Sequence, residues 1–171
     1  MSTINWKIPK DLLSVSIQMM RPHGVRGNEG LALWLGRRES AYTVEITHAV
    51  EVYGSGFSTS PLHMGLSLRA MTSLLDLADS LGRYLVGQIH SHPGRYIDLS
   101  DLDRAQGIRV PNYLSLVCPY YAQRKTTVMS ECGVHAFEEG EYRWLPQAEA
   151  SRRLAKSDQP VIRLRQEVQH D

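Results

Sequence analysis

Two histidines separated by one residue stand at the end of a segment that is typical of a buried strand. His90 and His92 follow residues 84–89 directly. In an extended chain, residues i and i+2 point to the same side, so both imidazoles can converge on one point. Pro93 comes next and has no N–H to donate, which ends strand pairing there. The pair therefore supplies two nitrogen ligands of the kind that zinc sites use.

A second signal lies seven residues further along the chain, where Ser100 is followed three positions later by Asp103. Taken alone, Ser-x-x-Asp predicts the start of a helix, with the serine as N-cap and the carboxylate in the first turn. A seven-residue loop can return that helix start to the strand end, where Asp103 would complete a His₂Asp set. Three protein ligands leave the fourth tetrahedral position for water, as in catalytic zinc sites.

The combined spacing resembles the JAMM motif of the JAB1/MPN/Mov34 metalloenzymes (JAMM, MPN+), which reads His-x-His, seven residues, then Ser-x-x-Asp. The family also places a glutamate just before a glycine-rich apolar strand. Here Glu29 precedes residues 30–36, GLALWLG, which look like that element. Glu39, Glu45 and Glu51 are the rival glutamates. We expect Glu39 to lie in a turn, and an alternating strand to turn the other two toward solvent.

The resemblance implies a role for each motif residue. One Zn²⁺ per chain would be held by His90, His92 and Asp103. Glu29 would take a proton from the attacking water and deliver it to the departing amine. Ser100 would donate a hydrogen bond to the oxyanion of the tetrahedral intermediate. The other histidines, at positions 23, 48, 63, 135 and 170, show no ligand spacing.

The same resemblance implies a zinc-dependent isopeptidase or peptidase that cleaves after the C-terminal tail of a ubiquitin or ubiquitin-like protein. The chain is similar to small prokaryotic JAB-domain proteins of the deubiquitinase type, some of which serve in ubiquitin-like conjugation or antiphage systems. The partner would then be a ubiquitin-like protein or its conjugates. Three alternatives stay open: a non-catalytic MPN scaffold, a RadC-like protein associated with DNA repair, and an enzyme that trims a small sulfur-carrier protein.

Composition narrows these classes. The chain has 171 residues and a formal net charge of +1, which gives no support to non-specific binding of nucleic acid or of an anionic membrane. The N-terminus lacks the apolar core of a secretory signal, and no apolar run approaches the ~20 residues that span a bilayer. Cys118 and Cys132 are expected to be reduced and buried. We expect a cytoplasmic protein, and the sequence leaves its oligomeric state open.

The predicted fold is an α/β domain over residues 1–146, of the MPN/JAB (cytidine-deaminase-like) type, with a mixed central sheet flanked by a long helix and shorter helices. Helices are predicted at 11–20, where the apolar pattern also allows a strand, at 64–81 and from Ser100 onward. Strands are predicted at 30–36, 42–52, 84–89, 113–117, 126–130, 134–137 and 142–145, with a turn at 37–40 and a loop at 54–61. Residues 147–171 are expected to form a polar, partly basic tail, either a solvated helix with a frayed end or a partner-binding segment.

Overall fold

A computed structural model of the chain describes residues 3–124 and 126–171. In chain order, the elements are β1 (Asn5–Pro9), α1 (Leu12–Val25), β2 (Leu31–Ser40), β3 (Thr43–Tyr53), β4 (Phe57–Ser60), β5 (His63–Leu66), α2 (Leu68–Ser80), β6 (Tyr84–Ser91), α3 (Asp101–Gln106), β7 (Leu114–Cys118), β8 (Gly133–Glu138), β9 (Glu141–Trp144), α4 (Gln147–Arg153), β10 (Leu154–Ser157) and β11 (Ile162–Glu167). Single 3₁₀ turns occur at Tyr120–Ala122 and Met129–Glu131.

Within the described residues, nine strands form one sheet in the order β10-β1-β3-β2-β6-β7-β8-β9, with β11 beside β3. The central strand β2 is antiparallel to both β3 and β6, whereas β6 and β7 run parallel. The prediction of an α/β domain with a mixed central sheet is therefore confirmed. The remaining two strands, β4 and β5, form a separate antiparallel hairpin.

The sheet separates two layers of core packing. Helix α1 covers one face, where Trp6, Trp34 and Ile89 belong to the same buried cluster. Helix α2 covers the other face through Ala70, Leu74 and Ala78, which belong to a second cluster. Because side chains alternate along a strand, Ile89 faces the α1 layer and its neighbour His90 faces the α2 layer. The sequence-predicted site therefore lies on the α2 side of the sheet.

Most of the predicted helices and strands are present in the structure, although several begin or end at other residues than predicted. The helix predicted at 11–20 continues to Val25. The apolar runs at 30–36 and 42–52 are adjacent strands, as predicted, but β2 extends through the turn expected at 37–40. The helices predicted at 64–81 and from Ser100 are α2 and α3, and the strands predicted at 84–89, 113–117, 134–137 and 142–145 are β6, β7, β8 and β9.

Three further expectations, apart from the turn at 37–40 and the C-terminal end described below, are wrong. Residues 54–61 are not a plain loop, because β4 begins at Phe57 and pairs with β5, which also delays the start of α2 to Leu68. Among the described residues of 126–130 there is no strand, and a 3₁₀ turn begins at Met129. Glu45 does not face solvent: it is buried, and its carboxylate lies 2.7 Å from Nε of Arg37.

The C-terminal segment is part of the sheet. The predicted helix is α4, but the expected frayed end is wrong, because β10 pairs with β1 and β11 pairs with β3. Arg153, at the end of α4, is 1% exposed and donates from Nε to the carbonyl oxygen of Ile4 at 2.8 Å. Its guanidinium also contacts the carboxylates of Glu138 and Glu149. Among the described residues, none of the helices has the length and apolar character to cross a bilayer.

Candidate metal centre

The end of β6 and the first turn of α3 bring three potential ligand atoms together. His90 Nε2 and His92 Nε2 lie 3.0 Å apart. Asp103 Oδ2 lies 3.3 Å from His90 Nε2 and 3.2 Å from His92 Nε2. The three atoms thus form a nearly equilateral triangle, which the i, i+2 geometry of the strand and the return of the seven-residue loop together produce.

This triangle fits a tetrahedral zinc ion. Bonds of about 2.0–2.1 Å imply separations of about 3.3–3.4 Å between neighbouring ligand atoms, close to the three distances observed. Two imidazole nitrogens with one carboxylate oxygen are a donor set that zinc accepts, whereas magnesium and calcium prefer oxygen alone. The residues present therefore fit the metal that the sequence motif implies.

Glu29 stands next to these ligands. One of its carboxylate oxygens lies 4.0 Å from His92 Nε2, and ligand atoms of Glu29, His90 and His92 all lie within 4.8 Å of one another. The side chain is buried, and its Oε2 has no hydrogen-bond partner among the described residues. Burial raises the pKa of the Glu29 carboxyl to about 7. A buried carboxylate with one unpartnered oxygen, beside the proposed ligands, is placed to exchange a proton with a bound water.

The start of β2 is held so that Glu29 reaches the site. The N–H of Glu29 donates to the carbonyl oxygen of Ser60 at 3.0 Å, and Thr59 Oγ1 donates to the carbonyl oxygen of Glu29. Strand β4 therefore hydrogen-bonds both backbone polar groups of Glu29. The next residue is Gly30, whose N–H donates to Ser91 Oγ at 2.8 Å. A Cβ at Gly30 would lie 2.8 Å from Cα of Met20, so only glycine allows α1 to pass this close.

The imidazole of His92 is oriented by the loop that follows it. His92 Nδ1 lies 3.0 Å from the carbonyl oxygen of Tyr96. Because a carbonyl oxygen only accepts, Nδ1 carries the proton, which leaves the lone pair of Nε2 directed at the metal centre. Burial alone would lower the pKa of His92, but the hydrogen bond to Asp103 and the charge of Glu29 outweigh burial and raise it. Burial lowers the pKa of His90.

Ser100 and Asp103 form a capping box at the start of α3. Ser100 Oγ accepts from Asp103 N at 3.0 Å, and Asp103 Oδ2 accepts from Ser100 N at 2.8 Å. Burial would raise the pKa of Asp103, but the contacts with both histidines outweigh it and hold the pKa well below its usual range. Since Ser100 Oγ acts here as an acceptor, its own proton stays available for donation. Helix capping and hydrogen bonding to substrate are therefore compatible.

Asp98 anchors the loop between His92 and Ser100. The sequence alone does not predict this role. Its Oδ1 lies 2.8 Å from His135 Nε2 and 2.7 Å from Nη2 of Arg104, the residue after Asp103. The same loop crosses the start of β8, where a Cβ at Gly133 would lie 1.8 Å from the carbonyl oxygen of Ile97. Histidine and aspartate at these positions carry no ligand spacing, so only the fold brings them together.

We expect Asp98→Asn to weaken zinc binding severalfold, because Asp98 holds the loop and, through Arg104, the helix turn that presents Asp103; it contacts no proposed ligand itself, so the loss should stay below the roughly 10–100-fold of a direct partner. The substitution keeps the shape of the side chain but removes the charge that fixes Arg104 and His135. The dissociation constant is measured by competition with a chromogenic chelator. Asp158→Asn, which changes an exposed aspartate, is the matched control. An unchanged zinc affinity in Asp98→Asn would show that the loop is held without it.

A left-handed turn lies on the other side of the site. Tyr120, Tyr121 and Ala122 have φ angles of 56°, 52° and 57°, which non-glycine residues adopt only at a cost in strain. Tyr121 N–H donates to the carbonyl oxygen of His92 at 2.7 Å, and its hydroxyl donates to the carbonyl oxygen of Pro61 at 2.8 Å. The turn thus connects the end of β6, which carries the two motif histidines, to the tip of the β4–β5 hairpin. No glycine marks it in the sequence.

Comparisons with known proteins give one relative described as a metalloprotease and one solved structure that shares the fold. The chain is 27% identical over 116 residues to the probable metalloprotease y4jG of Sinorhizobium fredii, which covers 68% of this chain and 72% of that protein. The solution structure of protein DSY2949 from Desulfitobacterium hafniense superposes with a TM-score of 0.63 at 16% identity, covering 91% of this chain and 94% of that one, and so shares the fold. No protein-family model matches the sequence.

A further structure, the JAB1/MPN domain protein AF2198 from Archaeoglobus fulgidus, gives a TM-score of 0.45 at 13% identity, covering 92% of this chain and all of that one. The metalloprotease relative and the convergence of Glu29, His90 and His92 bear out the resemblance predicted from the motif.

Proposed function

We infer that this chain is a metalloprotease of the JAB/MPN type, and we propose that it is a zinc-dependent isopeptidase or peptidase. The observation that carries the proposal is the ligand triangle of His90, His92 and Asp103, with the Glu29 carboxylate 4.0 Å from His92 Nε2. Three ligands and an adjacent base are what metal-assisted hydrolysis requires. No nucleophilic serine or cysteine is needed for this chemistry.

In the proposed mechanism, the residues of the chain position and move one proton. Zinc, when bound, supplies a Lewis acid that lowers the pKa of water to about 7 and polarises the scissile carbonyl. Glu29 accepts the proton of the attacking water and then donates it to the departing amine. A carboxyl pKa of about 7 suits both steps, because the group can hold or release a proton at neutral pH. Ser100 donates its free hydroxyl proton to the oxyanion.

We propose that the substrate is the C-terminal tail of a ubiquitin-like protein, in a conjugate or a precursor. An extended tail can add as a strand to a free sheet edge. Among the described residues, β5 pairs only with β4, so its second edge is free, and β5 lies beside a cavity that Asp103 also lines. Conjugation systems of the cytoplasm, antiphage systems among them, are the context that we propose.

The test is cleavage of a purified fusion of a candidate ubiquitin-like protein to a reporter protein. We expect the wild-type protein with about one zinc per chain to cut the fusion after the tail. Removing the metal with a chelator should stop cleavage, and adding zinc should restore it. A protein that neither binds zinc nor cuts any fusion would instead fit the non-catalytic scaffold.

A further inference from the structure

A cavity of about 330 Å³ opens beside the metal centre, on the α2 side of the sheet. Its walls are mainly apolar and come from four separate parts of the chain: Leu31, Met64, Leu66, Met71, Leu99 and Ile108. Asp103 lines it as well, so the cavity is directly continuous with the ligand set. None of the steps proposed above uses this space.

The position of the cavity along β6 is well defined. Gln88 lines it, and Gln88 precedes His90 by two residues on the same face of the strand. Leu31, also in the lining, pairs with His90 in the β2–β6 register. Glu29 does not line the cavity and contacts His92 instead, two residues further along β6. The cavity and Glu29 therefore lie toward opposite ends of the histidine pair.

This arrangement orients a substrate, if the proposed hydrolysis is correct. Glu29 must reach the nitrogen of the departing amine in order to protonate it, so the amine side of the scissile bond lies toward Glu29. The carbonyl side then lies toward the cavity. We infer that the cavity is a specificity pocket for the side chain of the residue that supplies the scissile carbonyl, and that this side chain is bulky and apolar.

The size and chemistry of the cavity select such an occupant. Its volume accommodates a leucine or an aromatic side chain, whereas a glycine would leave it empty. Its described lining contains no lysine or arginine, so no permanent positive charge faces an acidic side chain; its polar side chains are those of His63, Gln88, Gln106, Ser115 and Tyr142, beside the carboxylate of Asp103. The polar groups at its base are partly engaged already, because Tyr113 donates to Gln88 Oε1 at 3.1 Å. Among ubiquitin-like candidates, the pocket favours tails that do not end in two glycines.

The first test uses one tail peptide coupled to a fluorogenic amine, with glycine, alanine, leucine or phenylalanine supplying the scissile carbonyl. We expect kcat/KM for leucine and phenylalanine to exceed that for glycine by at least about 10-fold, the discrimination that an apolar pocket achieves. Gly65→Leu should reverse this preference by filling the pocket. An added Cβ at Gly65 meets its nearest atoms at 3.4 Å, so the backbone tolerates the change. Thr72→Leu, exposed on α2, is the matched control and should keep the preference.

The second test measures binding without turnover. The acyl-side product peptides, ending in phenylalanine or glycine, are titrated into the metal-free protein and followed by NMR. We expect tighter binding of the phenylalanine peptide, and loss of this difference in Gly65→Leu but not in Thr72→Leu. Equal binding together with equal hydrolysis of all four peptides would overturn the pocket. Selective binding without hydrolysis of any peptide would leave the pocket standing and overturn the proposed reaction.

Discussion

Replacing Glu29 by glutamine is expected to lower kcat about 10²–10⁴-fold while about one zinc per chain stays bound. Glutamine has nearly the same shape but cannot accept or return a proton, and general acid–base catalysis contributes an effect of this size. The ligand triangle of His90, His92 and Asp103 does not include Glu29, so metal binding should persist. Steady-state kinetics on the fusion substrate and elemental analysis of the same preparation measure both quantities.

The rival glutamates provide the control for this result. Glu39→Gln changes an exposed side chain that pairs with Lys7, and activity should stay at the wild-type level. If Glu29→Gln kept full activity, or if it lost its zinc, then Glu29 would not be the proton-transfer group, and in the second case it would be a ligand.

His92→Ala is expected to abolish both zinc binding and hydrolysis. The substitution removes one of the three proposed ligands. The remaining His90 and Asp103 are too few to retain zinc during dialysis. Metal content after dialysis and the rate of fusion cleavage are measured, and circular dichroism establishes that the variant is folded. His170→Ala, which alters an exposed histidine, should retain metal and activity.

A folded His92→Ala protein that still bound about one zinc would contradict the ligand assignment. Asp103→Asn gives an independent check, because it removes the oxygen corner while leaving both histidines in place. We expect it to lose zinc as well, since a neutral amide is a poor ligand.

The histidine and aspartate positions could be predicted from the sequence because their geometry is local. His90 and His92 share a face of any extended strand, and Ser100 with Asp103 carries its own helix-start signal. The apolar runs of β2, β3 and β6 likewise predict strands from local pattern alone. Glu29 could be found only through the family pattern, since its contacts with β4 and His92 join distant segments.

Other parts of the site depend on tertiary contacts that leave no periodic signal. The β4–β5 hairpin is short and rich in serine, threonine and glycine, which is a composition typical of a loop. Glu45 breaks the expected alternation because Arg37 on the neighbouring strand pairs with its carboxylate. The polar strands β10 and β11 lie where sequence composition favours a solvated tail, but the parallel pairing with β1 and β3 holds them.

The order of the strands in the sheet has a consequence for the assembly of the site and for the stability of the protein in the cell. Glu29 precedes β2, and His90 and His92 lie at the end of β6; the two strands are adjacent in space although β3, the β4–β5 hairpin and α2 separate them in the chain. The three proposed ligands all lie between residues 90 and 103, so the segment that would bind zinc is continuous in the chain, whereas Glu29 joins it only after β2 has paired with β6. Zinc that bound only the folded chain would add about 4 kcal/mol to the free energy of unfolding when its free concentration exceeds the dissociation constant a thousandfold. Zinc supply would thus regulate the abundance of the protein as well as its activity.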